Sequence, residues 1–411
     1  MTDYDKFLSP TGRQLHESAI RRMGTVIARE ADMVSFAAGY PDPAPFPWDE
    51  LRDITRELLS GSDPHVLQYG PTRGYKPLLE SIVPVLAERH ITATLEELLI
   101  TSGSQQGLDL VARVLVTPGD VVLVELPAYT GAISAFKNAQ AHLVGVKQDE
   151  DGINLDDLDE VCQRERRAGT RVNLLYLVPN FQNPTGLLLG LGKRQRLVEW
   201  AERRDVLIIE DDPYGSLYFE DVASEDETLA IRADSRGRVI YLSTFSKTLA
   251  PGFRVGWMVA PAALVDRFET AKQSVDLMTG SLDQRVVHEA LRRGALHRLA
   301  PALRDLYRRK RDVMEKALRA ELGDRLRWTA PKGGFFLWAT LPEGSDDVTL
   351  LSRALEQKLV FVIGSAFYVD GSGHDRIRLS FSAPTVERIE EGARRLAAAL
   401  LNTLAGEGAA R

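Results

Sequence analysis

The chain has 411 residues, a net charge of −7 and a pI near 5.7. An acidic chain lacks the basic surface that binds phosphates, so nucleic acid is excluded as a main partner. The amino terminus "MTDYDKFLSP" does not resemble a signal peptide, and no apolar run approaches the ~20 residues that span a bilayer. Cys162 is the only cysteine, which excludes an internal disulfide or cysteine metal cluster and fits a reducing compartment. We therefore expect a cytoplasmic protein with no membrane contact and no bound metal.

Seven short apolar runs lie between residues 98 and 260, and helical patterns separate most of them. Such runs are typical of strands buried on both faces, and their alternation with helices predicts a mostly parallel sheet. The sequence therefore predicts an α/β fold whose large domain has a seven-stranded sheet flanked by helices. The predicted strands are "LLIT" (98–101), "VVLVE" (121–125), "HLVGV" (142–146), "VNLLYLV" (172–178), "VLIIE" (206–210), "VIYLSTF" (239–245) and "VGWMVA" (255–260).

Polar and aromatic residues are concentrated directly after these strands. A parallel sheet binds its ligands beyond the carboxyl ends of its strands, so this edge is predicted to form the site. The segments that follow the first, second, fourth, fifth and sixth strands are, in order, "SGSQQG", "LPAY", "PNFQNPTG", "DDPYG" and "SKT".

The pattern changes beyond about residue 290, where a long charged helix leads into short strands and helices without strict alternation. This change indicates a separate and smaller α+β domain. We expect an amino-terminal arm (1–45) that packs on the small domain, a large domain (46–290) and the small carboxyl-terminal domain (291–411).

One segment, "STFSKTLAPGFRVGWMVAP", places Lys247 and Arg254 in an otherwise apolar stretch. A lysine at a strand end that is partly desolvated has a lowered pKa and can act as an amine nucleophile. Arg254 can grip a phosphate or carboxylate with two nitrogens. The structural alternatives are a surface lysine and a loop salt bridge, and neither residue decides the question alone.

Three further residues lie at the same edge. Asp211 ends a strand and can hold a proton on a ring nitrogen, although a turn-capping carboxylate is equally compatible with the local sequence. Ser104 begins a helix, whose free N–H groups bind anions, although a serine there is more often an N-cap. Tyr129 can stack on a planar ligand or simply pack. Together with Lys247 and Arg254, these groups fit pyridoxal 5′-phosphate, which takes a Schiff-base lysine and an acidic partner for its ring nitrogen.

The motifs "TSGSQQGLDL", "NFQNPTG", "EDDPYGSLYF", "FSKTLAPGFRVGW" and "RLSFS" are jointly specific, and the chain resembles a fold-type-I pyridoxal-phosphate aminotransferase of class I/II over nearly its whole length. It is most similar to the kynurenine/2-aminoadipate (LysN-like) branch. The resemblance implies that Lys247 binds the cofactor covalently and carries the proton between substrate Cα and cofactor. It also implies that Asp211 pairs with the ring nitrogen, and that Asn183 and Tyr214 bind the phenolic oxygen.

The resemblance implies further cofactor and substrate contacts. Tyr129 stacks on the ring, Arg378 binds the substrate α-carboxylate, and Gly39 lets the substrate approach. Arg21 matches a mobile arginine that meets acidic side chains. The residues that would hold the phosphate are Ser104, Gln105, Thr244, Ser246 and Arg254, with Tyr69 reaching in from a second subunit of a homodimer.

Tyr40 departs from the related pattern. The family has Gly-Gly-Leu-Pro where this chain has "AGYP" (38–41), so Tyr40 would sit at the substrate mouth and the family's side-chain preference does not carry over. Because Tyr40, Phe36 and Phe46 can offer an aromatic surface, we expect an aromatic or apolar L-amino acid as donor, with 2-aminoadipate as another candidate. The expected acceptor is a 2-oxo acid such as 2-oxoglutarate, in a ping-pong reaction.

Two other functions use the same residues. A lyase or decarboxylase that shares the cofactor would also stabilise a carbanion at Cα, but it would need no acceptor oxo acid. A cofactor-binding sensory domain of a transcription regulator would need a basic helix-turn-helix region ahead of it, for which the roughly forty residues before Tyr40 are too few.

Overall fold

The seven predicted strands form one sheet in the computed structural model, which describes residues 4–13, 32–235 and 237–408. A two-residue strand extends this sheet to eight strands, in the order β2-β9-β8-β7-β6-β3-β4-β5. The strands are β2 (Leu98–Thr101), β3 (Val121–Leu126), β4 (His142–Asp149), β5 (Gly152–Ile153), β6 (Val172–Leu177), β7 (Leu207–Asp211), β8 (Val239–Thr244) and β9 (Gly256–Val259). The prediction of a mostly parallel α/β sheet is confirmed, with β5 as the addition.

Five neighbouring strands, from β8 through β7, β6 and β3 to β4, run parallel, whereas β9 is antiparallel to both β2 and β8. The helices of the described residues are α1 (Pro10–Arg13), α2 (Trp48–Ser60), α3 (Lys76–Glu88), α4 (Ser104–Leu115), α5 (Thr130–Asn138), α6 (Leu155–Arg167), α7 (Leu191–Arg204), α8 (Ala262–Val275), α9 (Ser281–Arg292), α10 (Ala295–Leu322), α11 (Asp347–Glu356) and α12 (Val386–Gly408).

The central strands are buried because both faces of the sheet are covered. Val122, Val124 and Leu174 contribute to one apolar cluster, and Val121, Leu123 and Leu175 to another on the opposite face. This alternation explains why the runs read as continuously apolar, since each side chain has a helix to pack against.

A second, antiparallel sheet follows the long helix α10. Its strands are β10 (Arg327–Trp328), β11 (Phe336–Thr340), β13 (Val362–Ile363) and β14 (Arg376–Ser380), in the order β10-β11-β14-β13. Helices and an antiparallel sheet confirm the expected α+β character of this smaller region. The boundaries at residues 45 and 290 stay a prediction.

One short segment near the amino terminus pairs with the small region. Strand β1 (Val34–Ser35) pairs in parallel with β12 (Leu359–Val360) of the small region. Residues 36–42, which we call the strap, then lead back toward the edge of the large sheet. No helix in the described part of the chain is both long and apolar enough to cross a membrane.

Candidate active site

The catalytic candidates meet where β7 and β8 end. Lys247 lies three residues after β8, and its Nζ donates a hydrogen bond to the Gly39 carbonyl oxygen of the strap at 3.0 Å. Burial, followed by the nearby charges of Arg254 and Arg378, lowers the pKa of Lys247 to about 8. No carboxylate within 4.0 Å pairs with Lys247 in the described residues. A nucleophilic amine needs the neutral form that this environment favours.

Asp211 is buried at the end of β7 with one oxygen in use and one free. Tyr176 on the neighbouring strand β6 donates a hydrogen bond to Asp211 Oδ2 at 3.0 Å, whereas Oδ1 has no partner. Burial raises the pKa of Asp211 to about 7. An unpartnered buried carboxylate oxygen is costly alone, so the site fits a ligand that brings an N–H group to Oδ1.

Arg378, on β14, is 1% exposed although it bears a charge. Its Nη1 donates to Asn183 Oδ1 at 2.8 Å and its Nη2 to the Ala37 carbonyl at 2.6 Å, while Nε has no partner. The guanidinium also lies 4.2 Å from the ring centre of Phe336. Burial lowers the pKa of Arg378 to about 10, and no carboxylate pairs with it among residues 4–13, 32–235 and 237–408. It is therefore available to an anionic ligand.

Tyr214 lies near Lys247, whose Nζ is 6.0 Å from its ring centre, and Asn183 contacts Arg378. Tyr214 is buried, makes a hydrogen bond with Asn183, and packs edge-on against Phe335 and Phe336 with ring centres 5.4 and 5.9 Å away. Burial raises the pKa of the Tyr214 hydroxyl, so this group stays neutral. Asn183 accepts from Arg378 at the same time.

A cradle for an anion is built where α4 begins. Gly103 precedes α4 with φ +78°, and a Cβ there would lie 2.3 Å from Arg254 Nη2. A Cβ on Gly256 would lie 2.8 Å from the Gly103 carbonyl carbon and 2.9 Å from the Ser104 nitrogen. Both positions need glycine because the loop, the helix start and the arginine approach closely.

Side chains complete this cradle. Arg254 Nη1 donates to Ser246 Oγ at 3.2 Å, and the Ser246 and Thr244 hydroxyls lie 2.9 Å apart. The first turn of α4 supplies N–H groups without intrahelical acceptors, at Ser104 and Gln105. Arg254 has no carboxylate partner within the described ranges, so its charge is available to a phosphate.

The cradle, the free Asp211 oxygen and the desolvated lysine together fit pyridoxal 5′-phosphate. Tyr129 adjoins the cradle, with its hydroxyl 3.4 Å from Gln105 Oε1. The five sheet-edge residues singled out from the sequence, Lys247, Arg254, Asp211, Ser104 and Tyr129, thus belong to the same edge of the fold.

Tyr69 and Phe36 are not part of this cluster. Tyr69 is 76% exposed on a loop, which is compatible with a role at another subunit but does not test it. Arg21 lies outside the described residues. Phe36 was expected to face the donor, and this is wrong: it is fully buried against Gly392. Tyr40, by contrast, is 54% exposed next to Gly39.

Sequence reasoning missed Tyr176 and Phe336. Tyr176 carries the only side-chain hydroxyl in its predicted strand, and a buried tyrosine needs a partner, so its link to a neighbouring carboxylate could have been inferred. Phe336 lines the site through long-range packing, since a Cβ on Gly39 would lie 2.8 Å from its ring. No local sequence pattern predicts the contact between Gly39 and Phe336.

Comparison with known proteins agrees with this geometry. Residues 31–396 match the family described as aminotransferase class I and II. The chain is 39% identical to aromatic-amino-acid aminotransferase 1 of Thermococcus litoralis, over 96% of this chain and 94% of that protein. It is 37% identical to the Pyrococcus horikoshii kynurenine aminotransferase, solved with PMP, and 38% to LysN, the α-aminoadipate aminotransferase of Thermus thermophilus, solved with N-(5′-phosphopyridoxyl)-L-leucine. The Pyrococcus structure superposes with a TM-score of 0.92, and the match covers 98% of this chain and 98% of that one. The Thermus structure superposes with a TM-score of 0.89, and the match covers 98% of this chain and 100% of that one.

The fold and site are those of a fold-type-I, pyridoxal-phosphate-dependent enzyme. The chain belongs to the class I and II aminotransferase family, and its relatives support the kynurenine/2-aminoadipate branch. The expected aminotransferase activity and cofactor are thereby confirmed, which favours amino transfer over the lyase alternative.

Proposed function

We propose that the protein moves the amino group of an aromatic or apolar L-amino acid to a 2-oxo acid such as 2-oxoglutarate, by a ping-pong mechanism at one site. The observation that carries this proposal is a set of buried polar groups that form no ion pair within the described residues: Lys247 Nζ, Asp211 Oδ1 and the Arg378 guanidinium. Lys247 would supply the reacting amine, Asp211 would pair with the ring nitrogen of the cofactor, and Arg378 would bind the α-carboxylate of the substrate.

The bound cofactor would act as the electron sink that lets substrate Cα lose a proton. Asp211 would accept the ring N–H at Oδ1 while Tyr176 holds Oδ2 in place. Lys247 would accept the proton from Cα as a neutral amine and return it to the cofactor carbon, which its lowered pKa favours. Gly39 would orient this amine through its carbonyl oxygen.

Arg378 would bind the α-carboxylate common to every donor and acceptor. Its two N–H contacts to Asn183 and Ala37 hold the guanidinium plane, and its unpartnered Nε contributes to a two-pronged pair. Phe336 below the plane and the surrounding burial exclude water, which strengthens that pair.

Substrates would be distinguished by their side chains at the mouth of the active site. Tyr40 is exposed there and can contact an aromatic donor, and 2-aminoadipate remains a candidate because of the branch. Arg21 would swing in for 2-oxoglutarate and out for apolar donors. We also propose a homodimer, in which Tyr69 reaches the neighbouring phosphate site, and a cytoplasmic location, supported by the single, unpaired Cys162.

The mechanism is tested by separating the two halves of the reaction. The cofactor-loaded enzyme mixed with phenylalanine alone should release one equivalent of oxo acid per site and stop, and 2-oxoglutarate should then restore the starting absorption spectrum. Continued turnover without acceptor would contradict amino transfer. Borohydride reduction of the loaded enzyme followed by peptide mapping should place the label on Lys247.

The arginine switch is tested with Arg21→Ala. Loss of one charge-assisted pair should weaken 2-oxoglutarate about ten- to a hundred-fold and leave phenylalanine nearly unchanged. Equal loss for both substrates would leave Arg21 a structural residue. Sedimentation at working concentration tests the dimer, which a fully active monomer would contradict.

A further inference from the structure

A buried carboxylate at the site edge has no role in the reaction described above. Glu125 lies near the end of β3 and is 3% exposed. No lysine, arginine or histidine within 4.0 Å pairs with it in the described part of the chain. Carboxylates are rarely buried without a cation, so its hydrogen bonds must explain its place.

Three N–H donors converge on Glu125. Its Oε2 accepts from the Val178 backbone at 3.0 Å and from Gln182 Nε2 at 3.2 Å, and its Oε1 accepts from Gln148 Nε2 at 2.8 Å. Val178 directly follows strand β6, and Gln182 directly precedes Asn183. The carboxyl group therefore joins two points of the loop that carries Asn183 and anchors both to β3.

The chain of hydrogen bonds continues through Gln182 around that loop. Its Nε2 also donates to the Pro127 carbonyl at 2.8 Å, and its Oε1 accepts from the Thr185 nitrogen and hydroxyl at 2.9 and 2.7 Å. Asn183, enclosed by these contacts, has its own side chain committed to Arg378 and Tyr214. Any movement of Gln182 is thus passed to the residue that holds both site groups.

We propose that Glu125 is a positioning residue for Asn183, acting through Gln182, and that it serves as a hydrogen-bond hub whose charge is dispensable. The role of Asn183 toward the cofactor rests on the proposed function. Two observations support a neutral form near pH 7: burial raises the pKa of Glu125 to about 7, and Gln148 Oε1 has no partner. A rotated Gln148 amide would accept a hydrogen bond from the O–H of a neutral Glu125, because amide oxygen and nitrogen exchange places on rotation.

This geometry separates two substitutions of similar size. In Glu125→Gln, the amide oxygen accepts from Val178 and Gln182, and the amide nitrogen donates to the rotated Gln148. In Glu125→Leu, the Val178 N–H loses its partner and Gln182 loses its anchor on β3. Leu123→Ala is the matched control, because it opens a cavity two residues earlier on the same face of the same strand without removing any hydrogen bond of Glu125.

The first measurement is hydrogen exchange of residues 178–187 in protein freed of cofactor. Glu125→Leu should speed exchange there at least about tenfold, because this segment loses the acceptor of two hydrogen bonds, while Glu125→Gln matches wild type. Leu123→Ala should lower the melting temperature without changing exchange in this segment. If Glu125→Leu does not fold, Gln182→Leu breaks the same chain of bonds and should give the same result.

The second measurement is the pH titration of visible absorption in the loaded enzyme. A displaced Asn183 binds the phenolic oxygen less well, so the midpoint should rise in Glu125→Leu and stay unchanged in Glu125→Gln and Leu123→Ala. Three results overturn the proposal: Glu125→Gln impaired like Glu125→Leu, Leu123→Ala shifted like Glu125→Leu, or Glu125→Leu identical to wild type. A wild-type enzyme that takes up no cofactor would refute the proposed function instead, and the exchange measurement would still decide the role of Glu125.

Discussion

Buried cations of this protein differ in whether they meet a carboxylate. Arg89 binds Asp212 at 2.8 Å, and Lys310 on α10 binds Asp42 of the strap at 2.5 Å. Lys247 and Arg378 have no such partner in the described residues. A buried charge without a counter-charge lowers stability, so the two unpaired cations at this sheet edge fit a ligand site, whereas the paired charges hold the structure together.

Replacement of the unpaired Lys247 has the largest expected effect, which is on amino-transfer activity. Lys247→Met should reduce amino transfer to background, because the covalent link to the cofactor and the proton carrier are both lost. Steady-state assays with phenylalanine and 2-oxoglutarate measure this. Activity within a factor of ten of wild type would show that Lys247 is not the catalytic amine.

The same substitution should stabilise the cofactor-free protein. The pKa of Lys247 falls from 10.5 to about 8 on folding, so between these values the unfolded chain binds more protons and stability rises with pH. The cost of burying the charge is therefore greatest below pH 8. Lys247→Met should raise the free energy of unfolding by about 1–3 kcal/mol at pH 7 and by less at pH 10. A loss of stability at pH 7, measured with urea, would contradict this.

Arg89 should behave in the opposite way. Arg89→Met leaves Asp212 buried and uncompensated and should lower the free energy of unfolding by about 3–5 kcal/mol. Urea unfolding of the cofactor-free protein measures the loss. Adding Asp212→Asn should recover part of it, since the stranded charge is removed, although Asp212 also binds Asn180 and Gly215. A loss below about 1 kcal/mol would erase the distinction between the two groups of cations.

Arg378 tests the comparison between paired and unpaired cations through substrate affinity rather than through stability. Arg378→Met should weaken donor and acceptor equally by about 1.5–3 kcal/mol, because both present an α-carboxylate. Its melting temperature should fall less than that of Arg89→Met, since no buried anion is stranded and only the Asn183 and Ala37 acceptors lose a donor. Half-reaction kinetics and thermal unfolding test the two statements, and selective loss of one substrate would point to a side-chain contact instead.

An exposed pair gives the smallest expected effect. Arg52 binds Asp49 at 2.6 Å, but their side chains are 61% and 92% exposed. Solvent screens such pairs, so Arg52→Ala should not measurably change the melting temperature. A clear decrease would show that distance alone, rather than burial, decides the value of these ion pairs.

The sequence was informative about strands and the residues that follow them. Apolar runs marked β2 to β9 except the two-residue β5, which is too short to leave a pattern. Lys247, Asp211 and Ser104 could be placed at one edge because parallel strands put their carboxyl ends together.

Contacts between distant residues could not be predicted. Lys310 looks like one of many basic residues on a charged helix, yet its side chain is 3% exposed, and it also donates to the Ser382 carbonyl at 2.8 Å. Glu125 ends an apolar run and resembles a strand terminus facing water. Only the packing of α10 and of the 178–187 loop, which depends on the whole fold, decides that both are buried.

The strap reaches its neighbours through its main chain. The carbonyls of Ala37, Gly39 and Tyr40 bind Arg378, Lys247 and the Ser382 hydroxyl, respectively. The exposed Tyr40 side chain can therefore be exchanged without removing these contacts, whereas deleting one residue would shift all of them out of register. Laboratory evolution of new donor specificity can accordingly randomise position 40 while the lysine and arginine keep their places.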